Sequence, residues 1–146
     1  MGIFRFIAIG NWNSGFIDNV VSRIPNNEQV PGLPMCGDGV TTNQVTCGSI
    51  DSAWPSEIWS GNLLHPYIGN LACATFSGAP GDSGGPVYYL VPGNEGEAAG
   101  VIDVETFLSY GTSVCYTTID SVLQGISNTL SGHPNAYVVG VNGSRY

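Results

Sequence analysis

The run Gly81-Asp82-Ser83-Gly84-Gly85-Pro86, opening into the apolar Val87-Tyr88-Tyr89, holds the residues of this chain best suited to chemistry. A serine hydroxyl is a weak nucleophile, and acyl transfer at it needs amide donors aimed at the oxyanion that forms on attack. Glycines at 81 and 84 carry no Cβ, so a tight turn can aim the N–H groups of Gly81 and Ser83 at one point. Asp82 can hold that turn by pairing with a buried cation or with amides. A glycine-rich hairpin turn with an incidental serine is the alternative, and it accounts less well for such a run at the start of an apolar strand.

A nucleophilic serine also needs a base, and a carboxylate to orient that base. The chain has two histidines. His65 stands in Leu63-Leu64-His65-Pro66 and His133 in Ser131-Gly132-His133-Pro134. Both read as loop residues beside prolines, and His65 is the candidate for a substitute base.

The run from Gly81 to Pro86 resembles the nucleophile signature of the chymotrypsin-like serine endopeptidases. Residues 36–50, Cys-Gly-Asp-Gly-Val-Thr-Thr-Asn-Gln-Val-Thr-Cys-Gly-Ser-Ile, resemble the disulfide-closed hairpin of that family's bacterial-type branch, the alpha-lytic protease and streptogrisin relatives. Cys73-Ala74 before the serine turn and Cys115 beyond it resemble that branch's second bridge. Thr118-Ile119-Asp120-Ser121-Val122-Leu123 resembles its C-terminal helix. The likeness spans roughly residues 30 to 126 with the motifs in order.

This resemblance implies an all-β chain: an antiparallel β-barrel of the trypsin-like type, the C-terminal barrel with a remnant of the N-terminal one, and a short C-terminal helix. Residues 1–24 fall on the first barrel, 25–34 on the connector and 35–126 on the second barrel and helix, with 127–146 a tail. The implied activity is peptide-bond cleavage through an acyl-enzyme on Ser83, with the Gly81 and Ser83 amides as oxyanion hole and Asp82 supporting the turn. The family's histidine and aspartate come from the N-terminal barrel, and Met1-Gly2-Ile3-Phe4-Arg5-Phe6 resembles the strand that follows that aspartate. The chain alone is therefore expected to be inactive and to need a separately supplied N-terminal barrel. The alternative is a non-catalytic half-domain that binds peptides or a protein partner. Neither reading involves a metal or other cofactor.

The family pattern breaks at three places. Ser83 lies ten residues after Cys73, and the segment between them forms part of the family's specificity pocket. Ser77 there, with Phe76 beside it, implies a neutral pocket favouring apolar or aromatic side chains. The strand Ala99-Gly100-Val101-Ile102-Asp103-Val104-Glu105 corresponds to the pocket wall, where Asp103 and Glu105 are bulky and acidic. Either alternate residues of this strand face solvent, or the pocket is narrowed or selects basic side chains. Finally, Gly37 stands where relatives carry the arginine partner of Asp82. Arg5, Arg23 or local amides must then take that role, because an unpaired buried carboxylate is costly.

Composition sets the compartment and excludes several partners. The 146 residues are enough for one domain. Charged residues are 10% of the chain and hydrophobic ones 42%, with no apolar run long enough to span a membrane. A net charge of −8, with three arginines and no lysine, argues against nucleic acid and against anionic membranes as partners. The four cysteines allow three pairings. They lack the close C-x2-C spacings of a zinc site, and disulfides place the protein in an oxidising compartment, hence secreted. The resemblance implies the pairs Cys36–Cys47 and Cys73–Cys115. Asn142-Gly143-Ser144 is an N-glycosylation acceptor that matters only in a eukaryotic secretory host.

The elements that must position Ser83 are short. With 21 glycines and 9 prolines the chain favours strands and turns over long helices. Residues 2–10 read as a strand, and 16–24 as a short helix or strand. Residues 25–34, rich in proline and asparagine, read as a surface connection. Strands are expected at 40–42, 44–51, 71–74, 86–91, 98–104 and 113–117, with a hairpin at 93–96. Thr118 is the expected N-cap of a helix carrying Val122, Leu123 and Ile126 on one face.

Overall fold

β-Branched and aromatic runs between glycine- and proline-rich turns make strands the dominant element among the described residues. The computed structural model describes residues 6–8, 17–51, 56–59, 67–92, 95–108, 111–129, 137 and 145, with side chains for 20–51, 71–92, 95–103, 113–128, 137 and 145. The strands are β1 (Phe6–Ala8), β2 (Ile17–Arg23), β3 (Pro34–Asp38), β4 (Val45–Ser49), β5 (Ser56–Trp59), β6 (Tyr67–Ala74), β7 (Pro86–Val91), β8 (Glu95–Leu108) and β9 (Gly111–Thr118). A 3-10 turn spans Asn26–Glu28, and one α-helix, α1, spans Ile119–Thr129.

Hydrogen-bonded neighbours run β4-β3-β7-β8-β9-β6-β5, every pair in that path antiparallel. The path also closes on itself. An antiparallel bridge joins Ile50 to Ala74, the Asp51 N–H donates to the Cys73 carbonyl (2.7 Å), and the Thr75 N–H donates to the Ser49 carbonyl (3.0 Å). Strands β3, β4, β6, β9, β8 and β7 thereby form a ring, the antiparallel barrel expected from the sequence. β5 lies outside it on β6, and the β1–β2 hairpin joins through β2, which runs parallel to β8 along Glu95–Ala98.

Inside the ring, Met35, Ile50, Ala72, Ala74, Phe76, Val87, Ile102, Val114 and Tyr116 make one core, and Ile24 reaches it from the end of β2. A second core outside the ring combines Val20, Tyr88, Ala98, Ile119 and Leu123, so α1 holds β2 against the barrel. Polar contacts fix the same arrangement. Arg23 pairs with the Asp120 carboxylate in the first turn of α1, and the other Asp120 oxygen accepts from the Asn26 N–H (2.9 Å). Thr118 precedes α1 as expected of its N-cap, but its hydroxyl donates to the Ser121 hydroxyl (3.0 Å), and among the described residues it accepts from no backbone N–H.

Two expectations about elements are corrected and one open alternative is decided. Residues 40–42 are not a strand but a turn, and the strand lies upstream at Pro34–Asp38. The region 16–24, ambiguous in sequence, contains strand β2. The segment 25–34 is not wholly a surface connection, because Gln29 is buried. Its amide NH2 donates to the carbonyls of Ile24 and Ala99 (both 3.0 Å), and its oxygen accepts from the Tyr116 hydroxyl (2.9 Å). Burial of Tyr116 pushes its phenol well above the usual range, so it stays a neutral donor.

Candidate active site

Two consecutive turns carry the serine. The Asp82 N–H donates to the Ala79 carbonyl (3.0 Å), and the Gly85 N–H donates to the Asp82 carbonyl (2.9 Å). In the first turn Pro80 takes the second position and Gly81, at φ +103°, the third; in the second turn Gly84 takes the third at φ +89°. Those are the demands of type II turns, proline then a residue tolerating positive φ. The second turn is fastened to β8, where the Gly84 N–H donates to the Ile102 carbonyl and the Ile102 N–H to the Gly85 carbonyl (both 2.8 Å). The N–H groups of Asp82, Gly84 and Gly85 are thus engaged. Among the described residues, those of Gly81 and Ser83 have no acceptor, so two donors alternate with engaged neighbours around an exposed serine.

Asp82 explains why the turns hold. It is buried, and one carboxylate oxygen accepts from the Thr41 N–H (2.7 Å) and the Thr42 N–H (2.9 Å). The other accepts from the Ala79 N–H (2.8 Å) and the Thr42 hydroxyl. Burial pushes this carboxyl up, but the Thr42 hydroxyl and the three amides outweigh it and hold the group below its ordinary value of 3.8. Local amides therefore replace the expected arginine. Arg23, one candidate partner, is engaged with Asp120 instead, and Arg5 lies outside the described residues. Gly39 makes room for this cradle, since a Cβ there would run into the Asp82 carboxylate. Gly39, Thr41 and Thr42 were not legible as site residues, because nothing in the local sequence ties them to a carboxylate 40 residues on.

The Ser83 hydroxyl donates to the Asp103 carbonyl (2.9 Å). The β8–β9 register shifts between Ile102 and Val104, so Asp103 is the extra residue of a β-bulge, a device that re-aims groups beside functional sites. Its carboxylate accepts from the Thr117 hydroxyl (2.7 Å). Gly81, Asp82, Ser83 and Asp103 are thus brought together. The remaining pocket candidates sit differently. Gly100 is buried where a Cβ would meet the Thr117 carbonyl, and Val101 is half-buried opposite Pro86 and Thr117. Ser77 is exposed, and its carbonyl accepts from the Thr46 hydroxyl (2.5 Å). Phe76 is buried in the barrel, its ring where a Cβ on Gly37 would lie, so it does not line a pocket.

The disulfides bracket this site. Cys36 and Cys47 face each other across β3–β4 (S–S 2.02 Å, Cα–Cα 4.1 Å), and Cys73 and Cys115 across β6–β9 (2.00 Å, 4.0 Å). These are the pairs that the resemblance implies. His65, His133, Glu105 as a side chain, and Asn142 lie outside the described residues. Among those described, no group of acidic, histidine or cysteine side chains is arranged to hold a metal ion.

An antiparallel barrel, a C-terminal helix and a serine on a doubly turned loop define the fold, which is that seen in trypsin-like serine proteases. Solved structures agree. Cellulomonas bogoriensis chymotrypsin superposes with a TM-score of 0.59 at 22% identity, covering 84% of this chain and 59% of that one. Thermobifida fusca protease A gives 0.62 at 22%, covering 84% and 58%. Nocardiopsis protease gives 0.55 at 21%, covering 84% and 57%. The chain thus spans less than three fifths of the length of each of these proteases. No protein-family model matches the chain, and no curated protein matches it in sequence.

Proposed function

We propose that this chain is the nucleophile-bearing barrel of a secreted serine endopeptidase. Ser83 attacks the scissile carbonyl, the Gly81 and Ser83 N–H groups bind the oxyanion, and Asp82 fixes the turn that presents them. The observation that carries this reading is the alternation of unengaged and engaged N–H groups through residues 81–85. The two disulfides support export to an oxidising compartment. The base that takes the Ser83 proton is assigned to the part of the fold that this chain does not share with its longer structural neighbours. The substrate is a peptide or protein.

A non-catalytic, peptide-binding role is the second reading, favoured by one observation. The Ser83 hydroxyl donates to a backbone carbonyl, which holds the proton but cannot remove it.

Fluorophosphonate labelling read by peptide mass spectrometry separates the two. The proposed enzyme labels negligibly alone, and concentrated imidazole as a surrogate base drives labelling to Ser83 in preference to the other serines. Labelling scattered over surface serines, or none at Ser83 with imidazole, would contradict it. Rapid stoichiometric labelling without imidazole would show that a base such as His65 is already in place.

A further inference from the structure

We propose that Asp103 makes this site select substrates with a cationic side chain close to the scissile bond. The inference rests on the reading of Ser83 as nucleophile and deepens it to a substrate class. Asp103 is the residue whose backbone carbonyl receives the Ser83 hydroxyl (2.9 Å), so this carboxylate is borne by the residue that touches the reacting hydroxyl. The β-bulge between Ile102 and Val104 frees it from strand pairing. The Thr117 hydroxyl holds Oδ2 at 2.7 Å and so restrains the side chain's rotation, while Oδ1 has no partner among the described residues. The side chain is half-buried, partly withdrawn from water and still reachable.

Among the described residues this carboxylate has no counter-ion. The chain carries three arginines and no lysine. Of the described cations, Arg23 is held by Asp120 and Arg145 lies over the Tyr137 ring, 4.5 Å from its centroid. A carboxylate with one neutral donor and one oxygen unfilled among the described residues is an incomplete site, and a guanidinium or ammonium completes it with a charge-assisted hydrogen bond. The pocket features that favour apolar side chains are weakened at the same time, because Phe76 is buried in the barrel. A net charge of −8 adds a field that draws cationic peptides toward the surface and repels acidic ones.

The test uses three peptide boronic acids, probes that a serine hydroxyl captures as tetrahedral adducts, differing only in an arginine, leucine or glutamate side chain. Affinities for the full chain are measured at low and high salt, with Ser83→Ala as the control for capture at the serine. The arginine boronate should bind about tenfold tighter than the leucine one, the size of one charge-assisted hydrogen bond. The glutamate boronate should bind weakest. Asp103→Asn should collapse the arginine-to-leucine ratio toward one. If that variant fails to fold, salt decides on the unmodified chain, because raised ionic strength should compress the same ratio. Ser83-dependent capture with equal affinity for all three would overturn the assignment of Asp103 and leave the nucleophile standing. Capture of none would overturn the nucleophile and this proposal with it.

Discussion

Asp82 is the residue on which the serine turn depends, and its chemistry is testable by pH. Four donors converge on its buried carboxylate, so Asp82→Asn turns an amide NH2 toward groups that are themselves donors. Loss of about 2–3 kcal/mol of stability near neutral pH is expected, as when a charged acceptor is lost and buried donors stay unpaired. The sign of the pH effect follows from the lowered folded value. A group whose folded pKa lies below its ordinary 3.8 contributes in full above that value and loses its contribution as pH falls through the folded one. Melting temperatures of the parent should therefore drop more steeply below about pH 4 than those of Asp82→Asn. Parallel melting curves across pH 2–6 would show that Asp82 is not held as an anion. The roles proposed for residues 81–86 were readable in sequence because a serine turn is local. The partner of Asp82 was not, because three amides and a hydroxyl leave no compositional trace.

At the scale of elements, the cysteine pairs were legible through resemblance and the strands through β-branched runs bounded by glycine and proline. Two misreadings have physical causes. Val40-Thr41-Thr42 has the composition of a strand, yet the cradle around Asp82 needs its amides, and tertiary hydrogen bonding overrides propensity. Pro34-Met35-Cys36-Gly37-Asp38 lacks strand-formers and buries four consecutive residues, so it shows no alternation to read. Gln29 escaped notice because a polar side chain in a Pro/Asn-rich stretch ordinarily faces water. The disulfides differ in what they cross-link. Cys36–Cys47 closes a separation of 11 residues and Cys73–Cys115 one of 42. By loop-closure entropy the double alanine variant of the longer pair should lose about 1 kcal/mol more than that of the shorter. Urea unfolding of the two variants checks this, and equal losses would assign the stabilisation to packing around the bridges instead.

Across the whole molecule, the barrel is one unit and the β1–β2 hairpin is attached to its outside. That attachment runs through Val20 on Ile119 and Leu123 and through Asp120, which ties Arg23 and Asn26 to the helix. Asp120→Ala should cost about 1–2 kcal/mol. Hydrogen exchange should locate the loss in β2 and α1, with β6, β8 and β9 keeping their protection, because weakly attached elements open before the core. A uniform rise in exchange would show that the hairpin and barrel unfold together. The charge of −8 and the absence of lysine favour cationic peptides over acidic ones at the surface, in the same direction as the preference proposed for Asp103.

The central claim is that residues 81–85 form a ready oxyanion pocket above Ser83, and amide NMR measures it most directly. In the free chain the N–H groups of Asp82, Gly84 and Gly85 should exchange slowly, and those of Gly81 and Ser83 fast. On adding a peptide boronic acid the Gly81 and Ser83 resonances should move downfield together and become protected, as donors taking up a tetrahedral oxyanion. Gly81 and Ser83 amides already protected in the free chain, or unmoved when the boronate binds, would contradict the account.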